Sequence, residues 1–370
     1  MNSSFDLDTH RMLSDATDGF ALPNASRTRA ARDAHAGNDP AVWRQFASMG
    51  WIAASRPEQE GGLGMGLRAG AIISQRLGYA GFLEPYVASS VMVVECLSAC
   101  GPGALSLLKQ VVDGNVIAVL AWQSDGGRIE PQAASVTVTE VDGSTVLSGT
   151  CRYVAAAGDV FLVFAYGSAV PYIFRVPALR DGLVVEREKA ADGTVLTWLK
   201  LDKVSVLPED LLASGTSALA AMEESLACGI VATAAELLGV MERSLELTLD
   251  YLRMRQQFGK TIGTFQVLQH RAVDMWIQKE LTRSALRSAL DVFDNPHSTL
   301  VKRRIAASSA KARASQAALY IAGQSVQLHG AIGFTDEYEL GVYVNRALTL
   351  VPRYGNAAQH RQIYAVTAAE

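Results

Sequence analysis

Arg255 is a ready-made hydrogen-bond donor for a phosphate group, and Gln257 lies two residues beyond it. A guanidinium presents N–H donors in a fixed planar fork that matches the oxygens of a phosphate group. Both residues follow a stretch in which apolar residues recur at helical spacing, from Ile230 to Leu252. The sequence therefore places a hydrogen-bond donor for phosphate directly after the end of a long predicted helix.

The segment that follows must reverse the chain so that a second helix can begin. Gly259 and Gly263 interrupt the helical spacing, and a new periodic run starts at Phe265. We expect Phe258 and Ile262 to pack between these glycines. The pattern predicts a tight turn that joins two antiparallel helices of a bundle.

The composition limits the classes of protein to consider. The 370 residues are 49% hydrophobic and 19% charged, which is enough for a large core in two or three domains. The net charge of -4 gives no electrostatic attraction for nucleic acid. The polar, acidic N-terminus lacks the pattern of a signal peptide, and no apolar run is expected to span a bilayer. We therefore expect a cytoplasmic protein.

The four cysteines are predicted to be buried free thiols in a reducing compartment. They are Cys96, Cys100, Cys151 and Cys228. Cys96 and Cys100 share a helix face, but no histidine or further cysteine lies at the spacing of a metal site. The sequence contains no recognisable nucleophilic triad, and it predicts no metal.

The first third of the chain reads as helical, with helices predicted at residues 42–49, 67–77, 89–100 and 104–112. A glycine-rich run at residues 61–66 follows no predicted strand. We therefore interpret it as an ordered turn between helices and not as a dinucleotide-binding loop.

The period changes to that of β-strands after Gly114. Asp142-Gly143 predicts a hairpin turn between two alternating runs. Strands are predicted at residues 116–122, 136–141, 146–154, 160–166, 172–176, 183–188 and 194–206. Pro208 ends this segment, which reads as a compact antiparallel barrel or sandwich.

The remainder reads as helical, with helices predicted at residues 217–254, 266–293, 299–328 and 336–343 and after Asn356. The predicted fold class is therefore α+β. It comprises an N-terminal helical domain (residues 1–115), a central antiparallel β-barrel or sandwich (residues 116–212) and a C-terminal helical bundle (residues 213–370).

Two segments resemble the signature of the acyl-CoA dehydrogenase family. The first contains Arg255-x-Gln257-Phe258-Gly259 and Phe265-Gln-Val-Leu-Gln-His270, and the second is Gln327-Leu-His-Gly-Ala-Ile-Gly-Phe-Thr335. They stand in the family's order and at its usual separation, and the resemblance covers nearly the whole chain. It implies the family's three-part fold of helices, sheet and helices.

The resemblance implies an FAD-dependent oxidoreductase that acts on the CH–CH group of an acyl-CoA thioester. In the family a carboxylate removes the α proton, while the β hydrogen leaves as a hydride to the flavin. The cofactor-binding residues that it implies are Arg255, Gln257, Phe258, Gln327, Leu328 and Gly330. In the family these groups reach the flavin of a neighbouring subunit, which implies a dimer or tetramer. The resemblance also implies an electron-transfer flavoprotein as electron acceptor.

Neither position at which the family carries its catalytic base holds a carboxylate in this chain. The two positions correspond to Gly229, on the helix that leads to Arg255, and to Tyr354. A glycine offers no side chain, and a phenol with a pKa of about 10 is a poor base near neutral pH. At the flavin-ring end Ala155 replaces an expected hydroxyl, which leaves Gln123 as one candidate donor. Ser124 is the other candidate donor.

Glu236 is the acid that we weigh as a substitute base. It lies seven residues beyond Gly229, which returns it to within roughly 20° of the same helix face. It also lies opposite the apolar stripe of the helix, so it could face a flavin or solvent. The alternative interpretation is a solvated or ion-paired glutamate on a helix surface.

The chain retains the residues expected at the pyrophosphate and adenosine end of the FAD but lacks those expected at the flavin ring and the base positions. This contrast favours a subunit that works with a partner. The chain most resembles the small or partner subunit of pimeloyl-type or steroid-side-chain acyl-CoA dehydrogenases of α2β2 composition, including at Leu83-Glu84-Pro85-Tyr86. Such a subunit would complete the FAD site of a paralogous subunit that carries the base. The alternatives are a self-sufficient homo-oligomeric dehydrogenase that uses Glu236, and a non-enzymatic scaffold of the same fold.

Overall fold

Long helices form both ends of the chain, and a β-sheet lies between them in sequence. The structure, a computed structural model, describes residues 3–34 and 38–368, with side chains from residue 11 onward. The helices are α1 Ser3–Phe20, α2 Ala25–Asp33, α3 Pro40–Ser48, α4 Gly66–Ala80, a π-helix Tyr86–Met92, α5 Val93–Ala99, α6 Leu105–Val112, α7 Gly215–Met254, α8 Gln266–Asp294, α9 Leu300–His329, α10 Leu340–Leu350 and α11 Ala357–Thr367.

Ten strands occur in the described residues, eight of them in one sheet. They are β1 Ala118–Ala121, β2 Thr137–Val141, β3 Ser144–Val154, β4 Val160–Gly167, β5 Val170–Pro177, β6 Leu183–Lys189, β7 Val195–Val206, β8 Leu211–Ser214, β9 Gln256–Gln257 and β10 Lys260–Thr261. The predicted α+β fold class is confirmed, with N-terminal helices, a central sheet and C-terminal helices. The three domain boundaries stay a prediction.

The sheet is mixed, whereas the sequence predicted an antiparallel one. Its strand order is β6-β7-β3-β2-β4-β5-β8, and β1 pairs with β4 in parallel. Among the described strands, β6 and β8 are the two ends of this order and do not pair with each other. The sheet is therefore not a closed barrel and is consistent with a sandwich. β4 lies inside the sheet, and its residues 161–165 are fully buried, as expected of a continuous apolar run.

The chain forms two compact units, each built from separated segments. One contains Met1–Ala30, Leu67–Phe82 and Ile230–Glu370, and the other contains Ala31–Gly66 and Leu83–Gly229. Within the first unit, two glycines let α4 and α7 approach closely. A Cβ on Gly78 would lie 2.3 Å from the Glu236 carbonyl oxygen, and one on Gly239 would lie 1.8 Å from that of Gln75.

Helix α7 differs from its prediction in how it is buried. Residues 225–241 are buried on every side of the helix, so the apolar stripe seen in the sequence is only part of its contact surface. The expectation that no segment is long and apolar enough to cross a bilayer was wrong for α7 by length and composition. However, 94% of its most apolar window is buried within the protein, as in a core helix.

Candidate functional site

The Arg255 segment forms a two-stranded hairpin between α7 and α8. Strands β9 and β10 pair antiparallel, with Gln257 opposite Lys260. Phe258 and Gly259 make the two-residue turn, with φ of 54° and 76°. Two consecutive positive φ angles are typical of a type I′ turn, and a phenylalanine in that conformation is uncommon. The sequence predicted the reversal but not its strand pairing.

The tip of this hairpin is exposed. Phe258 is 89% exposed, so the expectation that it packs between the glycines was wrong. The turn at its own position points it outward, and its remaining ring contact is edge-on to Phe265 at 6.2 Å. Arg255 is exposed as well, and its guanidinium has no ion-pair partner among the described residues. An exposed and unpaired guanidinium fits the recognition of a phosphate that comes from outside the chain.

The second motif segment lies at the end of α9. Gln327 is exposed, Leu328 is buried, and Gly330 ends the helix with a φ of 69°. The Gly330 N–H donates to the Val326 carbonyl oxygen, and a Cβ on Gly330 would meet no atom within 4 Å. The positive φ accounts for glycine at this position, and the open space leaves room for a ligand beside the main chain.

Stacked rings bring the two motif segments together. Tyr251, at the end of α7, stacks on His329 with ring centroids 4.5 Å apart. His329 Nε2 lies 3.2 Å from the Tyr338 hydroxyl, and Nδ1 lies 2.8 Å from the Ser325 carbonyl oxygen. Burial lowers the pKa of His329. The sequence analysis missed this ring cluster, because no residue spacing indicates a contact across 78 residues of chain.

Glu236 is buried and ion-paired rather than solvated. Arg346 of α10 donates from Nε to Glu236 Oε1 at 2.8 Å, and both side chains are less than a tenth exposed. Glu236 therefore lies in the interior of the first unit and does not face solvent, although it lies opposite the apolar stripe of α7. Of the two interpretations left open for Glu236, the contacts are those of an ion-paired glutamate.

Tyr354 is buried in the same unit as the Glu236–Arg346 ion pair, and both charges affect its pKa. Its phenol is 3% exposed, and burial raises its pKa to about 12, with the Glu236 carboxylate adding to the rise. Glu236 and Tyr354 are 118 residues apart in sequence but lie in the same unit, and the Glu236 carboxylate contributes to the raised pKa of Tyr354. A phenol with this pKa is protonated at neutral pH, so it is not a general base there.

Buried polar side chains hold the loop that carries Tyr354. Lys311 Nζ is fully buried and donates to the carbonyl oxygens of Val351 and Gly355 at 2.9 and 3.0 Å. Burial lowers the pKa of Lys311 to about 7. His360 Nε2 lies 3.0 Å from the Tyr354 carbonyl oxygen, and burial lowers the pKa of His360 to about 3.

Gly229 belongs to the second unit and packs directly against Met92. A Cβ on Gly229 would lie 2.4 Å from Met92 Cγ and 2.5 Å from Sδ. Met92 is 1% exposed, so its thioether is enclosed by protein. The position at which the resemblance expects a base is therefore occupied by a neighbouring side chain.

One of the two donors considered for the flavin ring, Gln123, makes a hydrogen bond within its own unit. Gln123 is buried, and its Nε2 donates to the Arg128 carbonyl oxygen at 3.3 Å. Thr197 of β7, which the sequence analysis did not consider, donates to the Ala156 carbonyl oxygen at 2.8 Å. Ala155 is buried and has no polar side-chain atom. The residues fit the pyrophosphate end of an FAD better than its ring end.

The cysteines lie apart from these residues. All four are free thiols, and Cys96, Cys151 and Cys228 are buried as predicted, whereas Cys100 is half-buried. The described part of the chain contains no group of three metal-ligating side chains.

Comparison with known proteins identifies matches over most of the chain. Residues 7–112 match the family described as "Acyl-CoA dehydrogenase, N-terminal domain", and residues 219–368 match "Acyl-CoA dehydrogenase, C-terminal domain". Together these matches cover more than half of the chain. A similar curated protein is acyl-CoA dehydrogenase IpdE2 of Mycobacterium tuberculosis, 28% identical over 86% of this chain and 84% of that protein.

Solved structures agree with this result. The steroid ACAD Tcur3481-Tcur3483 superimposes with a TM-score of 0.86 at 27% identity, over 100% of this chain and 99% of that one. The ChsE4-ChsE5 complex of Mycobacterium tuberculosis gives a TM-score of 0.86 at 23% identity, over 100% and 98% of the two chains. The second likeness is one of fold alone.

Proposed function

This chain belongs to the acyl-CoA dehydrogenase family of FAD-dependent oxidoreductases, and from that premise we propose that it is the partner subunit of a two-subunit dehydrogenase. In this proposal it completes the cofactor site of a paralogous subunit and supplies no catalytic base of its own. The reaction is α,β-dehydrogenation of an acyl-CoA thioester. An α2β2 assembly, a cytoplasmic location and an electron-transfer flavoprotein as acceptor are parts of the same proposal.

The observation that carries the proposal is the contrast between two parts of the chain. Arg255 and the open turn at Gly330 stay available to a ligand, and the Tyr251–His329 stack holds their segments together. At the two expected base positions, by contrast, Gly229 is packed on Met92 and the Tyr354 phenol is buried. A subunit with this arrangement can bind cofactor phosphates but has no carboxylate where the α proton would be taken.

In this proposal the residues of the two motif segments contact different parts of the FAD. Arg255 would donate to the pyrophosphate, with Gln257 and Phe258 beside it, and the open main chain at Gly330 would border the adenosine. Gln327 and Leu328 would flank that end. Bound FAD would supply the redox chemistry, and the chain would contribute binding and orientation.

An exposed apolar surface supports assembly with a second subunit. Val273, Trp276, Ile277 and Leu281 lie on one face of α8, which we call the α8 face, and each is more than a third exposed. Phe334 is 81% exposed in the same unit. Several large apolar side chains exposed on one helix face are a feature of protein interfaces, and we assign this face to the paralogous subunit.

Activity measurements on the pure chain test the proposal. Loaded with FAD and given octanoyl-CoA, pimeloyl-CoA and a steroid-side-chain CoA thioester, the chain alone should reduce no artificial electron acceptor above background. Co-expressed with paralogous dehydrogenase subunits of its own organism, it should co-purify with one of them as an active complex. Robust turnover by the pure homo-oligomer would contradict the proposal.

A self-sufficient enzyme that uses Glu236 is the second candidate, because Glu236 is a buried carboxylate on the same helix as Gly229. In that case Glu236→Gln should abolish turnover of the homo-oligomer while FAD stays bound. If the homo-oligomer turns over and Glu236→Gln keeps the same rate, Glu236 has no catalytic role.

A further inference from the structure

The segment that precedes α5 is a π-helix, Tyr86–Met92, and all seven of its residues are buried. Three hydrogen bonds anchor it within its unit. The Tyr86 hydroxyl donates to the Trp51 carbonyl oxygen at 3.0 Å, and Ser90 Oγ donates to that of Ile52 at 2.6 Å. Ser225 Oγ of α7 donates to the Met92 carbonyl oxygen, also at 2.6 Å. A π-turn is costly in a helix and is frequent at functional sites.

Gly229 lies one helical turn beyond Ser225, so both residues face Met92 from α7. Ser225 holds the Met92 main chain, and Gly229 receives its side chain. The three atoms nearest to a Gly229 Cβ are Met92 Cγ, Sδ and Cε, at 2.4, 2.5 and 3.3 Å. Because the Met92 backbone is fixed and the side chain is enclosed, Cγ cannot simply move away from an added methyl group.

Close helix packing does not account for this contact. At Gly78 and Gly239 the nearest atom to an added Cβ is a main-chain oxygen of the facing helix, at 2.3 and 1.8 Å. Those glycines serve the approach of two backbones. At Gly229 the three nearest atoms all belong to the Met92 side chain, so Met92 fills the space that a side chain at position 229 would need.

We propose that the Met92 side chain excludes any side chain, and therefore any acid, from position 229. The inference rests on the proposed function, in which this subunit supplies no base. Met92 and Gly229 then form a matched pair, in which a flexible thioether takes the volume that a longer residue at 229 would need. A glutamate at position 229 alone cannot restore a base, because it requires a smaller residue at position 92 as well.

A double-mutant cycle on the full-length chain tests this pairing. Gly229→Ala should raise the equilibrium constant of unfolding in urea by about tenfold or more, as overpacking does. In the Met92→Ala background the same change should alter it by about twofold or less. Gly229→Gln, which has the length of glutamate without its charge, should follow the same pattern. Equal effects of Gly229→Ala in both backgrounds would overturn the inference.

A matched control uses Gly323 of α9, where a Cβ would meet no atom within 4 Å. Gly323→Ala should not destabilise the chain in either background. If Met92→Ala does not fold, ¹³C-methyl labelling of methionine gives a second readout. The Met92 methyl resonance should shift in Gly229→Ala relative to wild type, and an unchanged resonance would overturn the inference.

Different results would contradict the proposed function and the Met92–Gly229 pairing. Turnover of octanoyl-CoA by the unaltered homo-oligomer would end the proposed function and leave the Met92–Gly229 coupling as measured. Loss of that coupling would end the present inference, whether or not the chain needs a partner subunit for activity.

Discussion

Arg255 is a cation that the rest of the described chain leaves unpaired. We predict that Arg255→Gln lowers the affinity of the assembled complex for FAD by about 10- to 150-fold, since a hydrogen bond to a charged group contributes about 1.5–3 kcal/mol. Isothermal titration of the apo complex with FAD measures this. Arg253→Gln is the control, because Arg253 is also exposed but pairs with Asp250 at 2.9 Å. Equal losses in both variants would show a general effect of charge.

Glu236 and Arg346 form a buried ion pair whose partners depend on each other. Glu236→Gln removes the carboxylate charge that faces the buried Arg346 guanidinium, and we predict a loss of about 3 kcal/mol in the free energy of unfolding. Glu236→Gln combined with Arg346→Met should recover part of that loss, because the double variant also removes the buried guanidinium that Glu236 faces. Urea denaturation of the wild type, Glu236→Gln, Arg346→Met and the double variant measures the four free energies of unfolding. Additive losses in the double variant would contradict a direct pairing.

At the scale of elements, the loop after α10 depends on side chains from α9 and α11. His360 contacts the Tyr354 carbonyl oxygen, and Lys311 contributes to the low pKa of His360. Burial places this pKa at about 3 in the folded chain, against 6.5 ordinarily, so the unfolded chain binds the proton more tightly. Stability from this residue is therefore complete above pH 6.5 and is lost as the pH falls toward 3.

We predict that this one group makes the chain about 2 kcal/mol less stable at pH 5 than at pH 8. His360→Asn should remove that part of the acid dependence, although it also lowers stability at pH 8. Urea unfolding at both pH values measures the difference for each protein. The same slope in the variant and the wild type would show that other groups cause the acid sensitivity.

Elements that follow from local pattern were predictable from the sequence. Helices α7, α8 and α9 begin and end within about two residues of their predicted ranges, since apolar spacing and glycine breaks are local signals. The predicted helix at residues 336–343 was displaced, because the chain first makes a turn and α10 begins at Leu340. Strand β8 was missed, since four residues carry too little alternation.

Features that depend on distant residues were not predictable in the same way. The parallel pairing of β1 with β4 joins segments about 40 residues apart, and nothing in either strand specifies it. The sequence alone does not show that Glu236 contacts Arg346 of α10, which lies 110 residues further along the chain. The same limit applies to the candidate site, where motif spacing identified Arg255 and Gly330 but not the Tyr251–His329 stack.

At the scale of the whole molecule, the α8 face is the surface on which assembly would depend. We predict that Trp276→Glu weakens binding to the paralogous subunit about 30-fold, as expected for an interface residue that contributes about 2 kcal/mol. Analytical ultracentrifugation of the mixed subunits measures this. Leu179→Glu is the control, because Leu179 is 97% exposed in the other unit and has no part in the α8 face. Unchanged assembly of Trp276→Glu would exclude the α8 face as the contact.

The interleaving of the two units has a consequence for how the chain is made. Helix α4 lies in the first quarter of the sequence, yet Gln75 and Tyr79 bond to Glu242 and Glu246 of α7. At ordinary rates of translation, roughly 10 to 30 seconds separate the synthesis of these partners. During that interval α4 lacks the surface of α7 on which Gly78 and Gly239 let it pack, while segments of the other unit are synthesised. The emerging chain therefore exposes the apolar surface that α4 later buries against α7, which is the kind of surface that chaperones bind, and a product truncated before residue 230 would lack that part of α7.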